Sequence, residues 1–212
     1  MLILCSDGIT SKALSDRVSR EIKNKNMQHC ALVVTADNEY KENNYHVARC
    51  IRELESMNLM VDIFDLDRQP ASLLLDYDVV EFIGGNPYYL LHSIRTHQCE
   101  DILLELSRKK LLIGWSAADF VFGPTLDLVD QYSPQMNFPG LTDLSGITLT
   151  QFHVLPHYSK FLKKFEQFEE KCSDFEKKHN SRVIRLNDGD GLILDGDQYE
   201  IIRCQPIVEV LT

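Results

Sequence analysis

The sequence predicts an α/β fold in which helices cover both faces of a mostly parallel sheet, with a small β extension at its C-terminal end. Three patterns carry that expectation. Short apolar runs recur without polar alternation, as strands buried on both faces do. Longer stretches between them space their apolar residues three and four apart, which is helical periodicity. The C-terminal region then changes to short strand-like runs separated by turn-forming residues.

In chain order, the strand-like runs are LILC at 2–5, ALVVT at 31–35, VDIFDL at 61–66, DVVEFIGG at 78–85 and LLIGWS at 111–116. The segment 41–57 sets Val47, Ile51 and Leu54 at helical spacing. One or two further helices are expected over 87–109, around Leu90, Leu91, Ile94, Leu103 and Leu106. Strands alternating with helices are the signature of βαβ units, whose right-handed crossovers place helices on both sides of the sheet. Ligands of such folds bind beyond the carboxyl ends of the strands. The charged stretch 159–179 reads as a single amphipathic helix with Phe161, Phe165, Phe168 and Cys172 as its apolar stripe. After it come RVIRL, GLILD, YEIIRC and IVEVL, punctuated by Asn187-Asp188-Gly189, Gly196-Asp197 and Cys204-Gln205-Pro206 in the manner of hairpins. No repeat, linker or low-complexity tract divides the chain, so 1–212 is expected to be one domain.

Bulk composition narrows the function. With 22 Lys and Arg against 32 Asp and Glu, the net charge of −10 repels phosphate backbones and anionic lipid, so neither nucleic acid nor membrane is an expected partner. The N-terminus lacks a basic region followed by a long apolar run, and no stretch reaches the ~20 apolar residues of a spanning helix. A cytoplasmic location is expected. Six scattered cysteines form no CxxC pair, which leaves no zinc knuckle or dithiol motif and suggests buried, reduced thiols.

Chemistry concentrates at three places. Ser116 follows the apolar run LLIGW and precedes AADFVFG, a strand, a sharp turn and a helix start. A nucleophile elbow has that context and needs small neighbours, which Gly114, Ala117 and Ala118 supply; helix capping is the competing role for the serine. Upstream, FIGGNPYYLL at 82–91 puts Gly84 and Gly85 at a strand-to-helix turn, where backbone can approach a ligand or form a plain tight turn. Adjacent parallel strands would set this loop beside the serine. His157, in QFHVLPHY, emerges after Pro156 where a strand gives way to a loop, whereas His153 sits between Phe152 and Val154 as a sheet residue would. The remaining histidines are expected on helices or their ends.

GGN followed by a helix, then GWSA, then PHY, in this order and spacing, resembles the peptidase E (aspartyl dipeptidase) family, which is related to cyanophycinase. The resemblance implies the class I glutamine amidotransferase-like fold, a three-layer sandwich. It implies a serine peptidase cleaving small peptides with an N-terminal aspartate through a covalent acyl-enzyme, with Ser116 as nucleophile and His157 as base. The orienting acid maps onto Asp188 in Leu186-Asn187-Asp188-Gly189, with Asp130 as the alternative. N–H groups of Gly85 and Ala117 would bind the oxyanion, and Asn86 and Asp130 are candidate substrate contacts. The chain order Ser, His, Asp separates it from α/β-hydrolases. No metal or organic cofactor is implied, and the molecule is expected to be a monomer or homodimer. A substrate carboxylate calls for a cationic partner, for which Arg95, Arg182, Arg185 and Arg203 are available. The sequence departs from the family pattern at Ala118, Pro87 and Asp188, where glycine, threonine and glutamate are usual. A methyl at 118 is expected to crowd the elbow helix against its strand. A silent relative binding a small molecule or partner protein, and a hydrolase of another amide or ester, are the alternative functions.

Overall fold

The computed structural model describes residues 1–204. Five parallel strands form the body of the main sheet: β1 (Leu2–Cys5), β2 (His29–Val33), β3 (Met60–Phe64), β4 (Val79–Phe82) and β5 (Leu111–Trp115). A hairpin of β8 (Gly191–Asp195) and β9 (Gln198–Ile202) adds antiparallel to β1, giving a seven-stranded sheet of order β3-β2-β4-β5-β1-β8-β9.

Alternation along each strand divides the core in two. Leu2 and Leu4 belong to one apolar cluster, Ile3 and Cys5 to the other, because successive side chains leave a strand on opposite faces. Helices α1 (Lys12–Asn24) and α2 (Val47–Ser56) cover the second cluster through Leu14, Val18, Ile22, Val47, Cys50 and Leu54. Helices α3 (Pro87–Thr96), α4 (Glu100–Lys109) and α5 (Ala117–Val121) cover the first. The result is the expected α/β sandwich with helices on both sides. Helix α1 is a further element, signalled by the Ser11 cap, whose side chain accepts the Leu14 N–H, and by the four-residue spacing of Leu14, Val18 and Ile22.

Three expectations need correction. The run at 61–66 is not buried on both faces: β3 is an edge strand, with Met60 56% and Ile63 40% exposed. The stretch 159–179 is two helices, α7 (Tyr158–Lys164) and α8 (Phe168–His179), following a short α6 (Asp127–Asp130). The break lies at extended Phe165 and left-handed Gln167. Packing explains it, since Phe161, Phe165 and Phe168 all bring their rings to 4.9–5.3 Å from Tyr132. In one straight helix the first and last would be about 10 Å apart along the axis, beyond the reach of a single ring. Finally, RVIRL does not join the C-terminal hairpin: β7 (Val183–Arg185) pairs in parallel with β6 (His153–Leu155) as a separate two-stranded sheet. Asn187-Asp188-Gly189 therefore links two sheets, whereas Gly196-Asp197 is the expected hairpin turn of β8 and β9. The IVEVL run lies outside the described residues. Five of the six cysteines are buried and free; Cys204 is exposed.

Candidate active site

The sheet register sets the site. Cys5 pairs with Trp115 and Phe82 with Gly114, so β1, β4 and β5 end level, and Ser6, Gly84 and Ser116 follow them at one edge. The chain leaving β1 passes to α1 on one face, and the chain leaving β5 passes to α5 on the other. Divergence of neighbouring strands opens a crevice at their carboxyl ends.

Between β5 and α5 the turn is a single residue, Ser116, at φ 56° and ψ −97°. A non-glycine residue held there costs roughly 1–3 kcal/mol, which the surroundings must offset. The Ser116 N–H donates to the Cys5 carbonyl at 3.3 Å, and its carbonyl accepts from the Asp119 N–H at 3.2 Å. Below the turn, a Cβ on Gly114 would lie 2.7 Å from the Ala118 methyl and 2.9 Å from the Phe122 ring. The expected crowding by Ala118 is thus met by the missing side chain at Gly114, and Ala118 is fully buried. Beside the turn, a Cβ on Gly84 would strike the Trp115 ring at 2.6 Å, and one on Gly85 would lie 2.3 Å from the Ala36 carbonyl oxygen. The N–H groups of Gly85 and Ala117 donate to no acceptor among the described residues.

His157 follows β6 and Pro156 in a left-handed conformation, φ 54° and ψ 28°. Its Nε2 lies 3.1 Å from Ser116 Oγ, and its Nδ1 lies 2.7 Å from Asp188 Oδ1. Ser6 ties the ends of this run together, its Oγ accepting the His157 N–H at 2.8 Å while donating to Asp188 Oδ1 at 3.0 Å. The turn carrying Asp188 is itself fixed to the β1–α1 loop, with Gly189 N–H donating to Asp7 and the Ser11 hydroxyl to the Gly189 carbonyl. On the outer side of Asp188, Lys160 Nζ lies 2.5 Å from Oδ2. Burial pushes this carboxyl up, but hydrogen bonds from Lys160, His157 and Ser6 outweigh it and hold Asp188 below the ordinary aspartate range.

The other anticipated residues stand elsewhere. Asp130 accepts a hydrogen bond from the Tyr88 hydroxyl at 2.9 Å. Asn86 caps α3, accepting from the Tyr88 and Tyr89 N–H groups and donating to the Met136 carbonyl. Neither lines the cleft. His153 is buried edge-on against Phe175. Arg95 is paired with Asp143, Arg185 with Glu169 and Glu176, and Arg203 with Asp190. The cleft over Ser116 is about 820 Å³, and the cations that line it are Arg49, which also pairs with Glu53 at 3.3 Å, Lys160, held by Asp188, and Lys164.

Sequence reasoning passed over Ser6, Lys160 and the support beneath the elbow. There, buried Glu81 of β4 accepts from Trp115 Nε1 at 3.1 Å, and burial, reinforced by the nearby charge of Glu53, pushes its carboxyl up to about 7. Arg49 lies over the Trp115 ring and donates to the Asp7 carbonyl. Ser-Asp-Gly directly after the first apolar run was an available signal, because polar residues at a strand's carboxyl end face the ligand crevice.

Comparison with known proteins identifies the family. The model of peptidase family S51 matches residues 2–202. An uncharacterized peptidase of Listeria monocytogenes is 26% identical over 56% of this chain and 60% of its own length. One of Pasteurella multocida is 31% identical over 47% of this chain and 51% of its own. Those alignments thus span about half to three fifths of each relative. Peptidase E of Shewanella baltica is 24% identical over 76% of this chain and 68% of its own length. A solved structure from Listeria monocytogenes EGD-e, assigned to peptidase E, superposes with TM-score 0.74 at 21% identity, covering 95% of this chain and 97% of that one. A peptidase from an acI-B1 actinobacterium superposes with TM-score 0.71 at 17% identity, covering 95% and 86%. With a parallel sheet of this architecture, a strained serine at the end of its central strand and a family match over nearly the whole chain, this protein belongs to peptidase family S51.

Proposed function

We propose that this chain is a serine peptidase that hydrolyses small peptides with an N-terminal aspartate. The observation supporting it most is the unbroken hydrogen-bonded run from Ser116 Oγ, in the wall of the cleft, through His157 to Asp188 behind it. In this reading His157 Nε2 takes the Ser116 proton as Oγ attacks the peptide carbonyl, and the imidazolium then gives that proton to the leaving amine. Asp188 holds the Nδ1–H tautomer and steadies the imidazolium. The acyl-serine is hydrolysed by water activated through the same imidazole. The N–H groups of Gly85 and Ala117 receive the tetrahedral oxyanion, a contact whose loss costs about 10²–10³ in kcat in comparable sites. The cleft volume suits a short peptide, and Arg49 and Lys164 offer positive charge to an acidic side chain or a free C-terminal carboxylate.

Hydrolysis of an Asp-X dipeptide panel by the wild type and Ser116→Ala, with X-Asp and Glu-X controls, tests the reading. Free aspartate should be released by the wild type and fall to background in Ser116→Ala. Absence of turnover by folded wild type across the panel would reject the substrate class. If Ser116 also failed to react with a fluorophosphonate, the nucleophile assignment would go with it.

A further inference from the structure

Asp188 accepts three donors, and they divide between its oxygens. His157 Nδ1 and Ser6 Oγ share Oδ1, while Oδ2 faces the Lys160 ammonium at 2.5 Å. Lys160 lies three residues beyond His157, in the first turn of α7, so helical spacing brings its stem back over the same turn. We propose that Lys160 is a positioning residue for the Ser116–His157–Asp188 run, its ammonium anchoring the outer carboxylate oxygen so that the inner one stays ionised and aimed at the imidazole.

The proposal rests on the hydrolase reading above for its catalytic meaning, but not for its geometry. A carboxylate has two oxygens, and one left free in a partly open site can rotate toward water or take up a proton. The Asp188 carboxylate also turns about a short stem, so a small rotation would open the 2.7 Å contact to His157. Lys160 removes both freedoms. Its side chain is 65% exposed, which screens the charge and keeps the effect modest. Other groups facing this pair are Asp7 from the β1–α1 loop and Tyr45 and His46 from the segment entering α2, with Arg49 of α2 standing against His46. Behind the turn stand Asp190 and Arg203, which neutralise each other. Of these, Lys160 is the cation in contact with Asp188.

The test is a ¹³C-carboxyl titration of Asp188 in wild type, Lys160→Met and Lys160→Arg, combined with the pH profile of fluorophosphonate reaction at Ser116. In Lys160→Met the Asp188 midpoint should rise by about half a unit to one unit, and the acid limb of the Ser116 reaction should move up with it. Lys160→Arg should restore both, and high salt should carry the wild type part of the way toward Lys160→Met. An unmoved Asp188 midpoint would overturn the proposal. So would a rate lowered equally at every pH, which marks a structural role, or a rise confined to KM for Asp-X, which marks a substrate contact. A wild type inert toward the probe whose Asp188 midpoint still responds to Lys160→Met would retain the positioning contact and reject the hydrolase reading instead.

Discussion

Ser116, His157 and Asp188 hold their places through backbone as much as side chain, and two of the three require an unusual conformation to do so. Ser116 and His157 both adopt positive φ, which turns each side chain out of its element and toward the other. The acid assignment makes a direct prediction. Asp188→Asn should cut kcat by about 10⁴-fold, since an amide cannot hold the required imidazole tautomer, while Asp130→Asn should cost less than about tenfold. Steady-state kinetics of the two variants decide it, and the reverse ranking would move the acid to Asp130. Glu81 gives a second prediction at this scale. Its folded carboxyl titrates at about 7 against an ordinary value of 4.5, so the unfolded chain loses this proton first as pH rises. Its contribution to stability is therefore full below 4.5, declines across the interval to about 7 and is gone above it, an effect on the order of 3 kcal/mol. Glu81→Gln keeps an acceptor for Trp115 and should flatten this part of the pH dependence. Urea unfolding of both proteins at acid and neutral pH measures the difference, and identical slopes would show that Glu81 is not the group responsible.

At the scale of elements, the elbow depends on how closely α5 can approach β5. Gly114 and Ala118 form one contact, with the methyl on the helix and the space on the strand. Gly114→Ala should destabilise the protein by about 1–3 kcal/mol and lower activity by displacing Ser116. Adding Ala118→Gly should recover only part of the loss, because the new methyl would still meet Phe122. Thermal unfolding of the single and double variants checks this, and strict additivity would contradict a shared contact. The break between α7 and α8 follows the same logic of packing over periodicity. Three phenylalanines gather round Tyr132, and the helix ends where a straight axis would part them.

Over the whole molecule, a net charge of −10 surrounds a cleft whose walls carry Arg49, Lys160 and Lys164. An acidic peptide gains nothing from the long-range field, so its attraction must be local and short-ranged. Lys164→Gln is accordingly expected to raise KM for Asp-X peptides about two- to fivefold with little change in kcat. KM measured for Asp-X and for an uncharged analogue separates this from a general loss of fold; equal effects on both would argue against charge recognition. Among the described residues no helix is long and apolar enough to cross a membrane.

Much of this protein can be read from local pattern. Unbroken apolar runs mark strands β1, β2 and β5, and a run interrupted only by Glu81 marks β4, because a strand covered on both faces cannot afford polar alternation. Small residues round Ser116, and proline ahead of His157, mark the site because strained turns admit few side chains. Asp188 was legible only through the resemblance to peptidase E, since nothing in Leu186-Asn187-Asp188-Gly189 distinguishes a site turn from a hairpin turn. Tertiary structure alone decided the rest. It placed β8 beside β1, sent β7 to β6 and thereby stretched the turn between the two sheets past the end of β1, where Ser6 from the other end of the chain could meet it. Local sequence fixes dihedral preference and which faces are apolar, but strand order depends on long-range packing. The partners of Asp188 are set by that order.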